Sequence, residues 1–163
     1  GPSNAMEFIH PVKKTKDSNK INNFFILMEV IEYLKTHVKT DIAPSPIHGI
    51  GTFALTDIEV GEPVFMLWPN ESRVYTITKE EFEELPSHSK RMILKSYLNK
   101  PEYPVVWFRL FKDCYFNLAN PLVYTNTAEK NGNFDSLKRL AIKPIKAGEE
   151  ILGNYKLEDT LVK

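Results

Sequence analysis

The chain has 163 residues, 42% apolar and 12% aromatic, which suits one domain with its own core and excludes a disordered chain. Twenty-one basic residues balance 21 acidic ones, so no global basic field is available to hold a nucleic-acid backbone. A lone cysteine, Cys114, excludes an internal disulfide and a cysteine-rich zinc site.

Cys114 reads as a small packed hydrophobe. The four histidines, His10, His37, His48 and His88, are scattered without ligand spacing, so no metal is expected. No apolar run reaches membrane-spanning length, and Met6–Lys16 lacks the continuous apolar segment of a secretory signal. These features predict a soluble intracellular protein that engages neither a membrane nor nucleic acid directly.

In chain order, residues 1–5 (GPSNA) read as a cloning remnant and are set aside. Residues 10–20 are polar and basic, a flexible lead-in. From Ile21 to Val38, apolar residues recur at three- and four-residue steps (Ile21, Phe24, Phe25, Met28, Ile31, Leu34, Val38), which predicts an amphipathic helix capped by Asp17 or Ser18. Its stripe needs a partner surface; packing onto the domain is favoured over a homodimer seam. Pro44 and Pro46 end that region. Glycine-punctuated β-leaning runs over Gly49–Leu55 and Thr56–Leu67 predict strand, turn, strand.

Thr78–Leu98 reads as helix split by Pro86. Thr78 and Glu81 form a capping box, Ser87 or Ser89 caps the second half, and Ile93, Leu94, Tyr97 and Leu98 face inward. Val105–Phe111 and Tyr115–Leu118 read as buried strands, Pro121–Phe134 as an Asn-rich loop, and Arg139–Ile145 and Ile151–Tyr155 as strands. Asp57–Glu62 is echoed by Pro144–Glu149, each a tight turn closed by Gly-Glu ahead of a strand. Together these elements predict a mainly β fold with helical inserts. The organisation is residues 1–5 as remnant, 6–39 as lead-in and helix, 40–156 as the folded domain, and 157–163 as a short tail.

Over residues 42–156 these pieces resemble a SET domain. Gly49-Ile50-Gly51-Thr52-Phe53-Ala54 is similar to the family's opening Gly-x-Gly-x-Phe-Ala segment, and the Gly61-Glu62 turn follows at the family's distance. Ala141 to Tyr155 is similar to its closing Ala-x-x-x-Ile-x-x-Gly-Glu-Glu segment with a terminal tyrosine. Asn120–Asn126 is similar to the approach to its Asn-His-Ser motif, with Asn131 or Asn133 at a later asparagine's place. The resemblance implies a SET, β-clip-like fold of several short sheets. It implies methyl transfer from S-adenosylmethionine to a lysine of a protein substrate, by a protein-lysine methyltransferase lacking the cysteine-rich zinc tail.

By this resemblance Tyr155 is the catalytic residue, its hydroxyl orienting the amine. Gly49, Ile50, Gly51, Asn126, Thr127 and Tyr155 would contact the donor, with the glycines letting the backbone approach it. Tyr115, Phe116, Tyr124 and Gly153 would line the lysine channel. Thr127 and Ala128 stand where the family has histidine and serine, and Gly153 where many members carry an aromatic. The glycine predicts a roomier channel that tolerates more than one methylation, and these departures keep an inactive SET-like binding or assembly module as the alternative. Trp68 and Trp107 are assigned to the core rather than to adenine stacking, and Glu149 and Glu150 to a turn rather than to a catalytic pair.

Overall fold

The computed structural model describes residues 29–116, 121–128 and 130–154, with only the backbone of Val123 and Asn154. Expectations for the lead-in, the first helical turns, Asn117–Asn120, Tyr155 and the tail fall outside these residues. The described residues form small β sheets with few helices, in two compact units: residues 29–38 with 67–116, and residues 39–66 with 121–154. Among them no helix is long and apolar enough to cross a membrane, and no group of three His, Cys, Asp or Glu residues is placed to hold a metal ion.

In the first unit, helix α1 (29–36) buries Val30, Ile31, Tyr33 and Leu34. Of the expected stripe, Ile31 and Leu34 are buried here, and the helix ends at Thr36 rather than at Val38. The buried Ser89 hydroxyl donates to the Leu34 carbonyl at 2.6 Å, one of the acceptors that a helix C-terminus leaves unpaired. Strands β3 (Arg73–Thr78) and β4 (Val105–Leu110) form an antiparallel pair from Arg73↔Leu110 to Thr78↔Val105. The Asn99 side chain completes the free edge of β4, accepting from Trp107 N at 2.7 Å and donating to Trp107 O at 2.8 Å.

Helices α2 (Lys79–Glu83) and α3 (Ser87–Ser96) flank Pro86. The capping box is formed: Thr78 Oγ1 accepts from Glu81 N, and Glu81 Oε2 from Thr78 N. Neither serine caps α3. Pro86 holds the N-cap position without a side-chain bond, and Ser89 is committed to Leu34. The buried face also differs from expectation: Ser89, Met92 and Ile93 are buried, while Leu94 is 53% and Leu98 65% exposed. The helix stops at Ser96 and Tyr97 turns extended (φ −146°, ψ 140°); Tyr97 still packs inward against the Val74 and Trp107 cluster, while Leu98 leaves the helical phase that would have carried it inward.

Tyr115 is not in a strand. It closes a tight turn in which Phe111 and Tyr115 exchange backbone hydrogen bonds, with positive φ at Asp113 (65°) and Tyr115 (70°). Rings are the packing unit of this region. Tyr33 meets Trp68 edge-on at 4.7 Å and Tyr115 at 5.8 Å, Tyr115 meets Phe116 at 4.6 Å, and Tyr75 stacks on Phe108 at 5.6 Å. Trp68 and Trp107 are both buried here.

In the second unit, β1 (Thr40–Pro44) pairs antiparallel with β2 (Ile50–Ala54), from Thr40↔Ala54 to Pro44↔Ile50. The prolines had marked residues 40–48 as a helix stop only. Pro44 instead ends a strand of a two-stranded sheet, where its missing N–H is tolerated. Residues 56–67 form isolated bridges rather than a second strand, Ile58 with Ile145 and Pro63 with Leu140. One antiparallel register nevertheless runs the length of this segment. Ile151 N donates to Thr52 O, Phe53 bridges Glu150, Ala54 N donates to Glu149 O, Ile58 and Ile145 exchange bonds, and Val64 N donates to Arg139 O. The two echoed motifs are the two halves of this ribbon. Gly61 (φ 84°) and Gly148 (φ 91°) take equivalent turns; the first faces Ala141, the second Ala54.

The remaining sheet has the order β5-β8-β6-β7. β5 (Asn126–Ala128) lies within the expected loop, after a 3-10 turn at Pro121–Tyr124. β6 (Phe134–Asp135) and β7 (Leu140–Ala141) form a hairpin, where Asp135 Oδ1 accepts from Leu137 N and Lys138 N. Arg139, read as strand, takes φ 59° in that hairpin's turn. The last strand, β8 (Leu152–Asn154), inserts between β5 and β6, parallel to both. Ala54, Ile58, Val64, Phe65, Phe134, Ala141, Ile145 and Ile151 form the core beneath.

Candidate functional site

The tip of the β1–β2 hairpin, residues 45–50, is built from polar closures. Ser45 N donates to Gly49 O at 2.8 Å, and Ser45 Oγ accepts from Ile47 N (3.0 Å) and His48 N (3.3 Å). Its own proton faces both carboxylate oxygens of Glu150, at 2.8 and 2.9 Å. Glu150 arrives there because the ribbon sets it opposite Phe53, one pleat from Gly51.

The two glycines serve different ends. Gly49 takes φ 51°, and a Cβ there would meet nothing within 4 Å, so its requirement is conformational. Gly51 has no positive φ. A Cβ there would collide with the Glu150 carboxylate and come within 3.1 Å of Ser45 Cβ. Its missing side chain is the space that Glu150 fills.

Asn126 closes the arrangement from β5. Its Nδ2 donates to Glu150 Oε1 at 2.8 Å, with His48 O at 3.1 Å and Ile50 O at 3.4 Å also in reach. Three acceptors around one atom fix the amide orientation, since only the nitrogen can face them. Thr127 and Ala128 pair with Gly153 and Asn154 of β8, and Thr52 Oγ1 donates to Pro121 O at 2.8 Å, tying β2 to the turn that carries Tyr124.

Asn133 holds β8 in this place. Its N–H donates to Leu152 O (3.0 Å), its Oδ1 accepts from Leu152 N (2.8 Å), its Nδ2 donates to Glu150 O (2.9 Å), and its carbonyl accepts from Ile142 N (2.9 Å). Of the two asparagines considered for the later position, this is the one engaged with the last strand. Asn131 instead takes φ 66° and is exposed.

The structure thus brings together Gly49, Ile50, Gly51, Asn126, Thr127 and Gly153 in the second unit, with Tyr124 in the adjoining 3-10 turn. Tyr155 follows Asn154 in sequence and lies outside the described residues. Tyr115 and Phe116 belong to the first unit, buried among its rings. The Tyr115 hydroxyl has no hydrogen-bond partner among the described residues, and burial pushes its pKa well above the ordinary phenol range. Ser45 and Glu150 were not among the expected site residues. The sequence assigned Glu150 to a turn, and only the Phe53–Glu150 register shows which way its side chain goes.

No family model matches the sequence, and no curated protein matches it. The chain does align with solved structures. A candidate histone methyltransferase of Plasmodium falciparum is 19% identical, over 72% of this chain and 92% of that one, at a TM-score of 0.33. The ctPRC2 assembly, in an autoinhibited conformation bound to S-adenosylmethionine, has a chain 25% identical over 76% of this one, TM-score 0.32. Chaetomium thermophilum Polycomb Repressive Complex 2 bound to GSK126 has one 26% identical, also over 76%, TM-score 0.30. This chain spans 16% and 17% of the length of those two chains.

Proposed function

We propose that this protein is a SET-type methyltransferase that moves a methyl group from S-adenosylmethionine to a lysine of a protein substrate. The supporting observation is that three motifs far apart in sequence meet in one cluster: the hairpin tip at Ser45–Gly51, Asn126 on β5, and Glu150 at the entry to β8. By the resemblance, Gly49–Gly51 and Asn126 are donor contacts, and Glu150 belongs to the closing segment that leads to Tyr155.

The residues present fit such a donor. Its amino-acid end is zwitterionic and needs acceptors and donors together. The exposed tip offers open space at Gly49, backed by the Glu150 carboxylate and the Asn126 amide. When bound, the donor supplies a methyl group on a cationic sulfonium, a leaving group that calls for no metal. The protein's own task is to present the lysine uncharged and in line. A lysine in water keeps its proton near pH 7; a dry aromatic channel lowers its pKa by desolvation. Tyr124 and Tyr155 are the proposed walls, and the Tyr155 hydroxyl orients the amine. Gly153 leaves room beside it, so di- and trimethyl products are expected; strict monomethylation by mass would contradict that point.

Calorimetry with S-adenosylmethionine, paired with radiolabel transfer to lysine-bearing proteins, tests the proposal. Binding and transfer, with transfer lost in Tyr155→Phe, support it. Absence of binding overturns it. The alternative is an inactive binding module, favoured by Thr127 at the family's histidine position and by an Asn126 amide already engaged inside the chain; binding without transfer to any lysine would select it.

A further inference from the structure

The structure assigns Glu150 as the positioning residue of the hairpin tip: its carboxylate, lodged where Gly51 lacks a side chain and held by Ser45 and Asn126, fixes the turn that would receive the methyl donor. The donor-facing consequence rests on the function proposed above; the strut itself does not.

The geometry argues this in three steps. First, Glu150 accepts from Ser45 Oγ with both oxygens and from Asn126 Nδ2 with one. Hydrogen bonds to an ionised acceptor are the stronger kind. Second, Ser45 passes that anchoring into the tip, because the same oxygen accepts from Ile47 N and His48 N. Third, Asn126 reaches the carbonyls of His48 and Ile50 while bonded to Glu150. Among the described residues, the side-chain bonds from Asn126 and Glu150 to residues 45–50 all involve this carboxylate or its partner Asn126. The backbone around Glu150 is fixed independently, by the bridge to Phe53 and by Asn133. The side chain can thus be altered without removing the ribbon.

The test compares wild-type protein with Glu150→Gln, which keeps size but places an amide group where one of two hydrogen-bond donors needs an acceptor. Ser45→Ala serves as a milder variant, outside the ribbon's backbone pairing. If the wild type binds S-adenosylmethionine, Glu150→Gln is expected to weaken binding about tenfold and Ser45→Ala about threefold, the scale of losing charge-assisted hydrogen bonds. In turnover the donor KM rises while the KM for the lysine substrate stays put. A variant that merely folds poorly would lower kcat and leave both KM values unchanged. Equal donor affinity and KM in wild type and both variants overturns the assignment. If the wild type binds no donor, the function proposed above fails, and hydrogen exchange decides the strut alone. Exchange at Ile47 and His48 accelerated about tenfold in Glu150→Gln, with Ile58 and Ile145 unchanged, supports it; unchanged exchange at the tip overturns it.

Discussion

The two units are held by different means. The first is packed by rings: Tyr33, Trp68, Tyr75, Phe108, Tyr115 and Phe116 touch in series, joined by buried bonds from Trp68 Nε1 to Tyr75 Oη at 3.2 Å and from Ser89 to Leu34. The second has a smaller, mostly aliphatic core and is ordered by backbone register and side-chain-to-backbone bonds from Ser45, Thr52, Asn126, Asn133 and Asp135. Ring packing sets how much free energy a unit loses when volume is removed. Register and polar closures set where particular atoms sit. The segments proposed to face the donor, Gly49–Gly51 and Asn126–Thr127, lie in the second kind of structure, which is the kind that positions.

The largest effect expected from this contrast is in the first unit. Phe108 is fully buried against Tyr75, so Phe108→Ala should cost about 3–5 kcal/mol, read by urea denaturation. A loss below about 1 kcal/mol would mean that the ring series is not what holds that unit. In the second unit, Gly51→Ala should cost about 1–3 kcal/mol by overpacking. Its signature is coupling: in a Glu150→Ala background the penalty should fall by half or more, because the colliding carboxylate is gone. Additive effects would refute the shared space. Asn133→Ala comes next, at about 1–3 kcal/mol for backbone groups of 150–152 left without partners. Faster hydrogen exchange should appear at Leu152, whose N–H the Asn133 side chain accepts.

The same contrast explains what could be read from the sequence. Periodicity exposed the Ile31–Leu34 stripe, the capping box at Thr78–Glu81 and the break at Pro86, because each depends on residues within one or two turns. It misplaced Leu94, which sits one position round α3 from the buried Ile93, and Leu98, because the phase of α3 ends with the helix at Ser96 and nothing local announces that. The Asp57–Glu62 and Pro144–Glu149 echo was legible as two turns but not as two halves of one ribbon, since the Ile58–Ile145 pairing is a long-range event. In the candidate site, the glycines and Asn126 were named by the family resemblance. Ser45 and the reason for Gly51 could not be: both follow from a side chain arriving from about a hundred residues away. β1 was missed because its prolines read as breakers, and edge position cannot be seen in a local window.

A smaller effect sharpens the comparison at an exposed, local feature. Thr78→Ala removes one capping bond and should cost about 1 kcal/mol, without altering exchange at Ile47 or His48. The smallest concerns His88 in the second position of α3. Burial, first, and the Arg91 charge, second, hold its pKa below the ordinary histidine value, against a backbone hydrogen bond involving Val38 that raises it. The unfolded chain, with a pKa near 6.5, therefore binds a proton more readily than the folded one. Stability from this group is present above about pH 6.5 and is lost as the pH falls through the lower folded value. His88→Gln should flatten that part of the stability–pH curve, measured as the wild-type-minus-variant difference in urea midpoint between about pH 7 and pH 5. A difference that grows toward low pH in favour of wild type would reverse the sign and show that the Val38 bond, rather than burial, governs the imidazole.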